Sequence, residues 1–324
     1  MVFSMDVMSL VSLLSDGQFH SGSDLGRALG VSRSAVWKSL GRLSHYGLAI
    51  ESVKGKGYRL FSALDLFDQG VVYSKLGSEL AGRVSVDILP QVESTNSVMA
   101  ERLPSQALTY GVLLAEMQTK GRGRRGRSWV SPFGKNIYMS LGFELAGGPE
   151  CLAGLSLVAG LSVARAINLL SDVHAQLKWP NDVWMEGKKA AGILVELQGE
   201  ATTGWRVVLG VGLNVSMSVE EGEDIDQPWI AVGDYIDCTR SELAGVMANC
   251  LVEDLELFRV HGFAHFLPMW RDLDIFYGQE LCVLGSQTIG VSEGVDVMGN
   301  LLLRVGDELM VINAGEVSVR QHEA

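Results

Sequence analysis

At 324 residues, with 47% hydrophobic and 20% charged side chains, the chain has apolar material for two or three packed domains and lacks the composition of a disordered protein. A formal net charge of -12 excludes a protein that coats nucleic acid over its whole surface, although a whole-chain sum hides local patches. Cys151, Cys238, Cys250 and Cys282 are scattered with no Cys-x-x-Cys, which argues against a disulfide framework or a zinc site and for a reducing compartment.

Met1 to Leu14 has no basic opening and is broken by Asp6 and several serines, unlike a signal peptide. Apolar stretches such as Leu152 to Ala164 carry Gly and Ser and fall short of the roughly 20 residues of a membrane span. A cytoplasmic protein is expected. Residues 1–60 hold seven Lys/Arg against four Asp/Glu, net +3, while residues 61–324 hold nineteen against thirty-four, net -15. In the basic part, Val7, Leu10, Val11, Leu13 and Leu14 repeat at helical spacing, and a second helix is predicted from about Ser23 to Leu29. Gly30-Val31-Ser32 then turns into a third helix that Ser32 caps, with Ala35, Val36, Leu40 and Leu43 as its apolar face. Ile50 to Val53 and Tyr58 to Phe61 flank Lys54-Gly55-Lys56-Gly57, a basic glycine turn between two strands.

Helix, turn, helix and basic wing in that order predict a winged helix-turn-helix DNA-binding domain over residues 1–62. Ser32, Arg33 and Ser34 open the recognition helix, where base edges and phosphates are reached, and Lys38, Arg42, Lys54 and Lys56 would add phosphate contacts. The alternative is a small helical interaction domain with a solvated basic face. Ser62 to Asp68 reads as a linker.

From Val71 to about Trp270, strand-like runs (Val84 to Leu89, Gly111 to Glu116, Asn136 to Phe143, Ala191 to Leu197, Trp205 to Val215) alternate with helical ones (Ser97 to Arg102, Cys151 to Leu170, Arg240 to His261). Several strands follow one another without a crossover helix, so a mixed sheet is expected over a domain of residues 68–270. Between two of these strands lies Gly121 to Trp129, with four arginines and three glycines in its first seven residues. Gly121, Gly123 and Gly126 let the backbone bend and bare its N–H groups, while Arg122, Arg124, Arg125 and Arg127 can neutralise a polyanion such as a nucleotide triphosphate. No Gly-Lys-Ser/Thr closes the loop, so it is not a P-loop; an RNA-binding or merely solvated loop stays open. Glu93-Ser94-Thr95-Asn96 reads as a helix cap, Lys178-Trp179-Pro180-Asn181-Asp182 as a rigid turn ending in a carboxylate that suits Mg²⁺, and Lys189 as the mouth of a buried strand.

In order, these segments resemble the biotin protein ligases. Gly121 to Ser140 reads as that family's GRGRRGRxWxSPxGxNxYxS motif without a break. Glu93 to Asn96, Lys178 to Asp182, Lys189 to Glu196 and Gly210 to Asn214 are similar to its ESTN, KWPND, KxAGILVE and GxGxN segments. With the winged helix, the likeness covers nearly the whole chain and extends to the bifunctional form, which is also a biotin operon repressor.

The resemblance implies an α+β chain with an N-terminal winged helix-turn-helix, a central mixed α/β ligase domain and a small C-terminal SH3-like β-barrel over residues 271–324. It implies that biotin and ATP form biotinyl-5′-AMP, with Mg²⁺ on Asp182, and that biotin passes to a lysine of the biotin carboxyl carrier protein of acetyl-CoA carboxylase. Ser94, Thr95, Asn96 and Gln118 would meet the ureido ring, within a site that includes Gly121, Gly123, Lys178 and Gly192. Arg122 and Arg124 would close over the adenylate, and Lys189 would pair with the reacting carboxylate and phosphate oxygens. Trp129 would pack on adenine, Asn214 would touch the nucleotide, and Arg320 would reach its phosphates. A homodimer with biotinyl-AMP as co-repressor would bind the operator DNA of biotin biosynthetic genes. Two alternatives remain at this point: a transcription factor whose core only senses a metabolite, and a lipoate-type ligase on the related fold.

Overall fold

The structure, a computed structural model, describes residues 5–103, 109–200, 204–284, 286–313 and 318–321. Helices α1 (Met5–Leu14), α2 (Gly22–Leu29) and α3 (Arg33–Leu40) precede a hairpin of β1 (Ile50–Val53) and β2 (Gly57–Leu60). The Ser32 hydroxyl accepts from the Ala35 N–H at 3.3 Å, the expected cap. The third helix stops at Leu40, and Leu43 enters the core from a separate 3₁₀ turn, Leu43–Tyr46. Leu10, Val11, Leu14, Leu25, Val36 and Leu60 bury together, joined by Phe133 from the middle of the chain, whose ring centroid lies 6.3 Å from that of Tyr46.

The central unit holds α4 (Gln69–Ser74), β3 (Val84–Leu89), α5 (Thr95–Arg102), β4 (Tyr110–Ala115), β5 (Ile137–Leu145), α6 (Leu155–Asn168), β6 (Gln176–Lys178), β7 (Asp182–Met185), β8 (Lys188–Glu200), β9 (Gly204–Leu213), α7 (Arg240–His261) and α8 (Leu267–Leu273). Seven strands form one sheet in the order β3-β4-β5-β9-β8-β7-β6. Only β3 and β4 run parallel, so the sheet is mixed, as expected. Alternation along the strands divides its faces. Met139, Ile193 and Val211 enter the main core with α6 and α7, while Ser140, Gly192, Gly210 and Gly212 face the side that α5 covers. The predicted helix Cys151 to Leu170 is a 3₁₀ turn followed by α6; Pro149–Asn168 is apolar enough to cross a membrane by composition, but most of it is buried in the core.

The KWPND segment is the turn of a hairpin in which Lys178 pairs with Asp182. Its strands have three and four residues, too few to show a period. At the root of the N-terminal unit, Arg240 is 2% exposed. Its Nη2 donates to Glu116 Oε2 at 2.6 Å, its Nη1 to Asn136 O at 2.8 Å and its Nε to Asp65 O at 2.7 Å, while the Phe67 N–H donates to Glu116 Oε1 at 2.7 Å.

The tail forms β10 (Glu280–Leu284), β11 (Ile289–Val295), β12 (Leu301–Val305), β13 (Glu308–Ile312) and β14 (Ser318–Gln321). These make an antiparallel sheet in the order β13-β12-β11-β10-β14. The expected barrel is not closed among the described residues: β14 takes its hydrogen bonds from β10, leaving β13 and β14 as edges. Residues 285, 314–317 and 322–324 of the region expected as a barrel lie outside the described residues. Leu281, Val283, Leu301 and Leu303 join the main core. Trp179 Nε1 donates to Gly299 O at 3.0 Å, so the tail braces the turn that carries Asn181 and Asp182.

Candidate active site and nucleic-acid interface

The site begins with what the sheet leaves out. Gly192 pairs with Gly212 and Leu194 with Gly210 across β8 and β9. A Cβ on Gly212 would lie 2.3 Å from Trp129 Cε2, and one on Gly210 would lie 2.3 Å from Asn96 Oδ1. Those contacts are far inside van der Waals range, so the glycines are what lets Trp129 and Asn96 lie against bare sheet.

A β-bulge supplies the cation. Val183 pairs with Ala191, but Trp184 pairs with Lys189, leaving Ala190 as one residue extra on β8. By alternation Lys189 would share the core face of Ala191 and Ile193; the bulge re-aims it onto the glycine face. There its Nζ sits 2.8 Å from Asp182 Oδ1 and 5.5 Å from the Trp129 ring centroid. The two side chains are only 13% and 17% exposed, which keeps the ion pair poorly screened. Asp182 Oδ1 is buried and makes no hydrogen bond, so its compensation is electrostatic, from the Lys189 contact and the nearby charges of Arg124 and Lys178.

The arginine segment folds over this floor as a small hairpin. The Gly123 N–H donates to Arg127 O at 2.7 Å and the Trp129 N–H to Gly121 O at 2.9 Å, with Arg125 at φ 56 near the tip. Arg124 Nη1 donates to Asn181 Oδ1 at 3.1 Å, and Asn181 Nδ2 donates to Ile193 O at 2.7 Å. Burial, with Arg125 alongside, pulls the Arg124 guanidinium below its ordinary pKa, while Asp182 acts the other way. Arg122 turns elsewhere: its Nη2 donates to Glu196 Oε2 at 2.9 Å and to Ser97 Oγ at 3.2 Å.

At the polar end, Gln118 Oε1 accepts from the Thr95 N–H at 2.9 Å and from Thr95 Oγ1 at 3.2 Å, and Gln118 Nε2 donates to Ser131 Oγ at 3.1 Å. Asn96 is spent on the protein itself. Its Nδ2 donates to Glu196 Oε2 at 2.8 Å, and its Oδ1 accepts from Ser140 Oγ at 2.6 Å.

One cavity thus brings together Ser94, Thr95, Asn96 and Gln118 with Arg122, Gly123, Arg124, Trp129, Asp182, Lys189 and Gly192. Gly121 lies just outside it in the hairpin stem, where a Cβ would come 2.4 Å from Trp129 O. Three more expected residues are not in its lining. Lys178 sits over the Trp184 ring, 4.0 Å from its centroid, and burial lowers its pKa against the pull of Asp182. Asn214 is 3% exposed, its N–H bound to Ala190 O behind the bulge. Arg320 is exposed on β14, paired with Cys282. Sequence reasoning gave no role to Asn181, Glu196 or Gln227. Gln227 is placed by backbone pairing of Lys189 with Pro228 and Ile230 and had no local signal to reveal it.

Ser32, Arg33, Ser34, Lys38, Lys54 and Lys56 are all exposed, at the start of α3, along its outer side and on the β1–β2 turn. That places cations on both elements that a winged helix presents to DNA.

A largely buried lysine–aspartate pair on a glycine floor, roofed by a cationic hairpin and joined to a winged helix-turn-helix, defines an anion-binding site coupled to a unit with the shape and charge of a DNA-binding domain. Residues 88–214 match the biotin/lipoate A/B protein ligase family, and residues 7–59 match a helix-turn-helix domain family. The chain is 39% identical to the bifunctional ligase/repressor BirA of Salmonella typhimurium and 37% identical to that of Escherichia coli, covering 98% of this chain and 98% of each relative. The biotin protein ligase from Aquifex aeolicus in complex with biotin and ATP superposes with a TM-score of 0.62 at 30% identity, over 74% of this chain and 99% of its own. The protein belongs to the biotin/lipoate A/B protein ligase family, among its bifunctional ligase/repressors.

Proposed function

We propose that the chain activates biotin with ATP, transfers it to a lysine of the biotin carboxyl carrier protein of acetyl-CoA carboxylase, and represses biotin biosynthetic genes with biotinyl-5′-AMP as co-repressor. The observation that carries this reading is the Lys189–Asp182 pair beneath the arginine hairpin. A carboxylate is a poor electrophile, so biotin's carboxylate oxygen attacks the α-phosphorus of ATP and pyrophosphate leaves. The carrier lysine's amine then attacks the acyl carbon of the mixed anhydride, AMP leaves, and the amine loses a proton. Both steps gather negative charge where Lys189 and Arg124 are already oriented, so fixed cations rather than a nucleophilic side chain lower the barrier. Thr95 and Gln118 offer a hydroxyl and an amide to the ureido ring, and Trp129 offers a flat ring to adenine.

Asp182 fits Mg²⁺ as a single carboxylate working together with nucleotide phosphates, the usual way that ion is held. When bound, Mg²⁺ would neutralise phosphate oxygens. We place the domains at 1–62, 68–270 and 271–324, with the linker residues 65–67 held on the ligase domain by Arg240 and Glu116 and the last domain an SH3-like cap of short antiparallel strands. The setting is cytoplasmic. A homodimer would set two recognition helices on two operator half-sites, which offsets the weakness of one basic patch on an acidic body.

The test is pyrophosphate release by the pure protein with ATP and either biotin or lipoate, followed by DNA titrations upstream of biotin biosynthetic genes with and without biotin plus ATP at fixed salt. Release with biotin alone and tighter DNA binding in its presence are expected. Release with lipoate only would overturn the substrate, and equal DNA affinity in all conditions would remove the co-repressor.

A further inference from the structure

Four arginines over an anion site invite one common task, but the geometry separates them. Arg124 points inward to Asn181, beside Asp182. Arg122 points outward along β8, to Glu196 and Ser97. The oxygen of Glu196 that receives Arg122 also receives Asn96 Nδ2. Glu196 therefore ties together β8, the first turn of α5 and the first stem of the arginine hairpin. The second stem is seated separately, by Trp129 on Gly192 and Gly212.

We infer that Arg122 and Glu196 form a strut: Arg122 is a positioning residue that sets the hairpin over the cavity, and its guanidinium stays on Glu196 when ligand phosphate is bound. This rests on the cavity being the biotinyl-AMP site. Swinging Arg122 to a phosphate would break its bonds to Glu196 and Ser97 and leave an unneutralised carboxylate on the rim of an anion site, where it repels the ligand. Arg124 and Lys189 already line the cavity, Arg124 through the neutral amide of Asn181 and Lys189 beside Asp182, so both meet ligand phosphate from where they stand. Arg122 and Glu196 are 46% and 36% exposed, so replacing either leaves the core intact.

The experiment loads the full-length protein with labelled biotin and ATP, then chases with unlabelled biotin to read the rate of biotinyl-AMP release. It compares wild type, Arg122→Gln, Glu196→Gln and the double variant, with kcat and KM for pyrophosphate release measured in parallel. A half-exposed ion pair predicts about a fourfold faster release in each single variant, with a smaller change in kcat. Both substitutions remove the same contact, so the double variant also releases about fourfold faster rather than the roughly sixteenfold of independent effects. If Arg122 instead grips the ligand, Glu196→Gln frees it and slows release while Arg122→Gln speeds it. Opposite signs, or independent effects in the double variant, overturn the strut with the ligase reading intact. A wild-type protein that forms no biotinyl-AMP overturns that reading and the strut with it.

Discussion

The glycine floor makes its own prediction through Gly212→Ala. The added Cβ would lie 2.3 Å from Trp129 Cε2 and 2.6 Å from its Nε1. Carbon atoms rest at about 3.5–4.0 Å, so the ring must retreat by more than about 1 Å. Overpacking of this size costs about 1–3 kcal/mol, and replacing a glycine inside a strand returns roughly 0.5–1 kcal/mol through the unfolded chain. Net stability falls by only about 1 kcal/mol, a melting shift of a few degrees. The strain concentrates on the seat of the hairpin, and about 2 kcal/mol lost there weakens ligand binding roughly thirtyfold. Isothermal titration with biotin, and pyrophosphate release with ATP, read the effect alongside a thermal melt. Unchanged affinity would show that Trp129 is not seated on the floor when ligand binds; a collapse in melting temperature would show that the floor is structural.

Lys189→Ala should slow adenylate formation by about 10²–10³-fold, because the cation beside the reacting anion is lost, and should also lower the melt, because the buried Asp182 carboxylate loses its contacting charge; near wild-type rates would remove Lys189 from catalysis. Asp182→Asn should raise the Mg²⁺ concentration needed for half-maximal activity, and an unchanged titration would move the ion to other ligands. Asp274 is a buried carboxyl with an unpartnered Oδ2, and burial pushes its pKa up to about 6 from 3.8. The folded state then holds that proton longer than the unfolded chain, so this group's contribution is fully present below pH 3.8 and lost as pH rises through about 6. Asp274→Asn should be more stable than wild type by up to about 3 kcal/mol at pH 8 and no more stable at pH 4, read from urea midpoints. A constant difference across that range would mean Asp274 does not titrate there.

The winged helix and the main strands were legible because their apolar residues repeat over enough positions to show a period; β3 falls on the expected residues. The hairpin of β6 and β7 was too short for that. Most of the residues that line the cavity were legible through the motifs, but Gly121, Lys178, Asn214 and Arg320 fall outside its lining, and the motifs did not show each side chain's task. Asn96 reads as a ligand in its motif, and only the approach of Ser140 and Glu196 shows its amide already engaged. Lys189 reads as a strand-mouth residue, and counting by twos would send it into the core; the extra residue that turns it is visible only in the pairing with β7.

The Arg240 joint makes residues 65–67 part of the ligase domain's hydrogen-bond network. Trimming the chain there would strip the guanidinium of Asp65 and leave Glu116 without the Phe67 N–H, in a place where water does not easily replace them. A free-standing catalytic unit therefore has to begin upstream of Asp65, and the boundary between the two activities runs through the ligase rather than beside it.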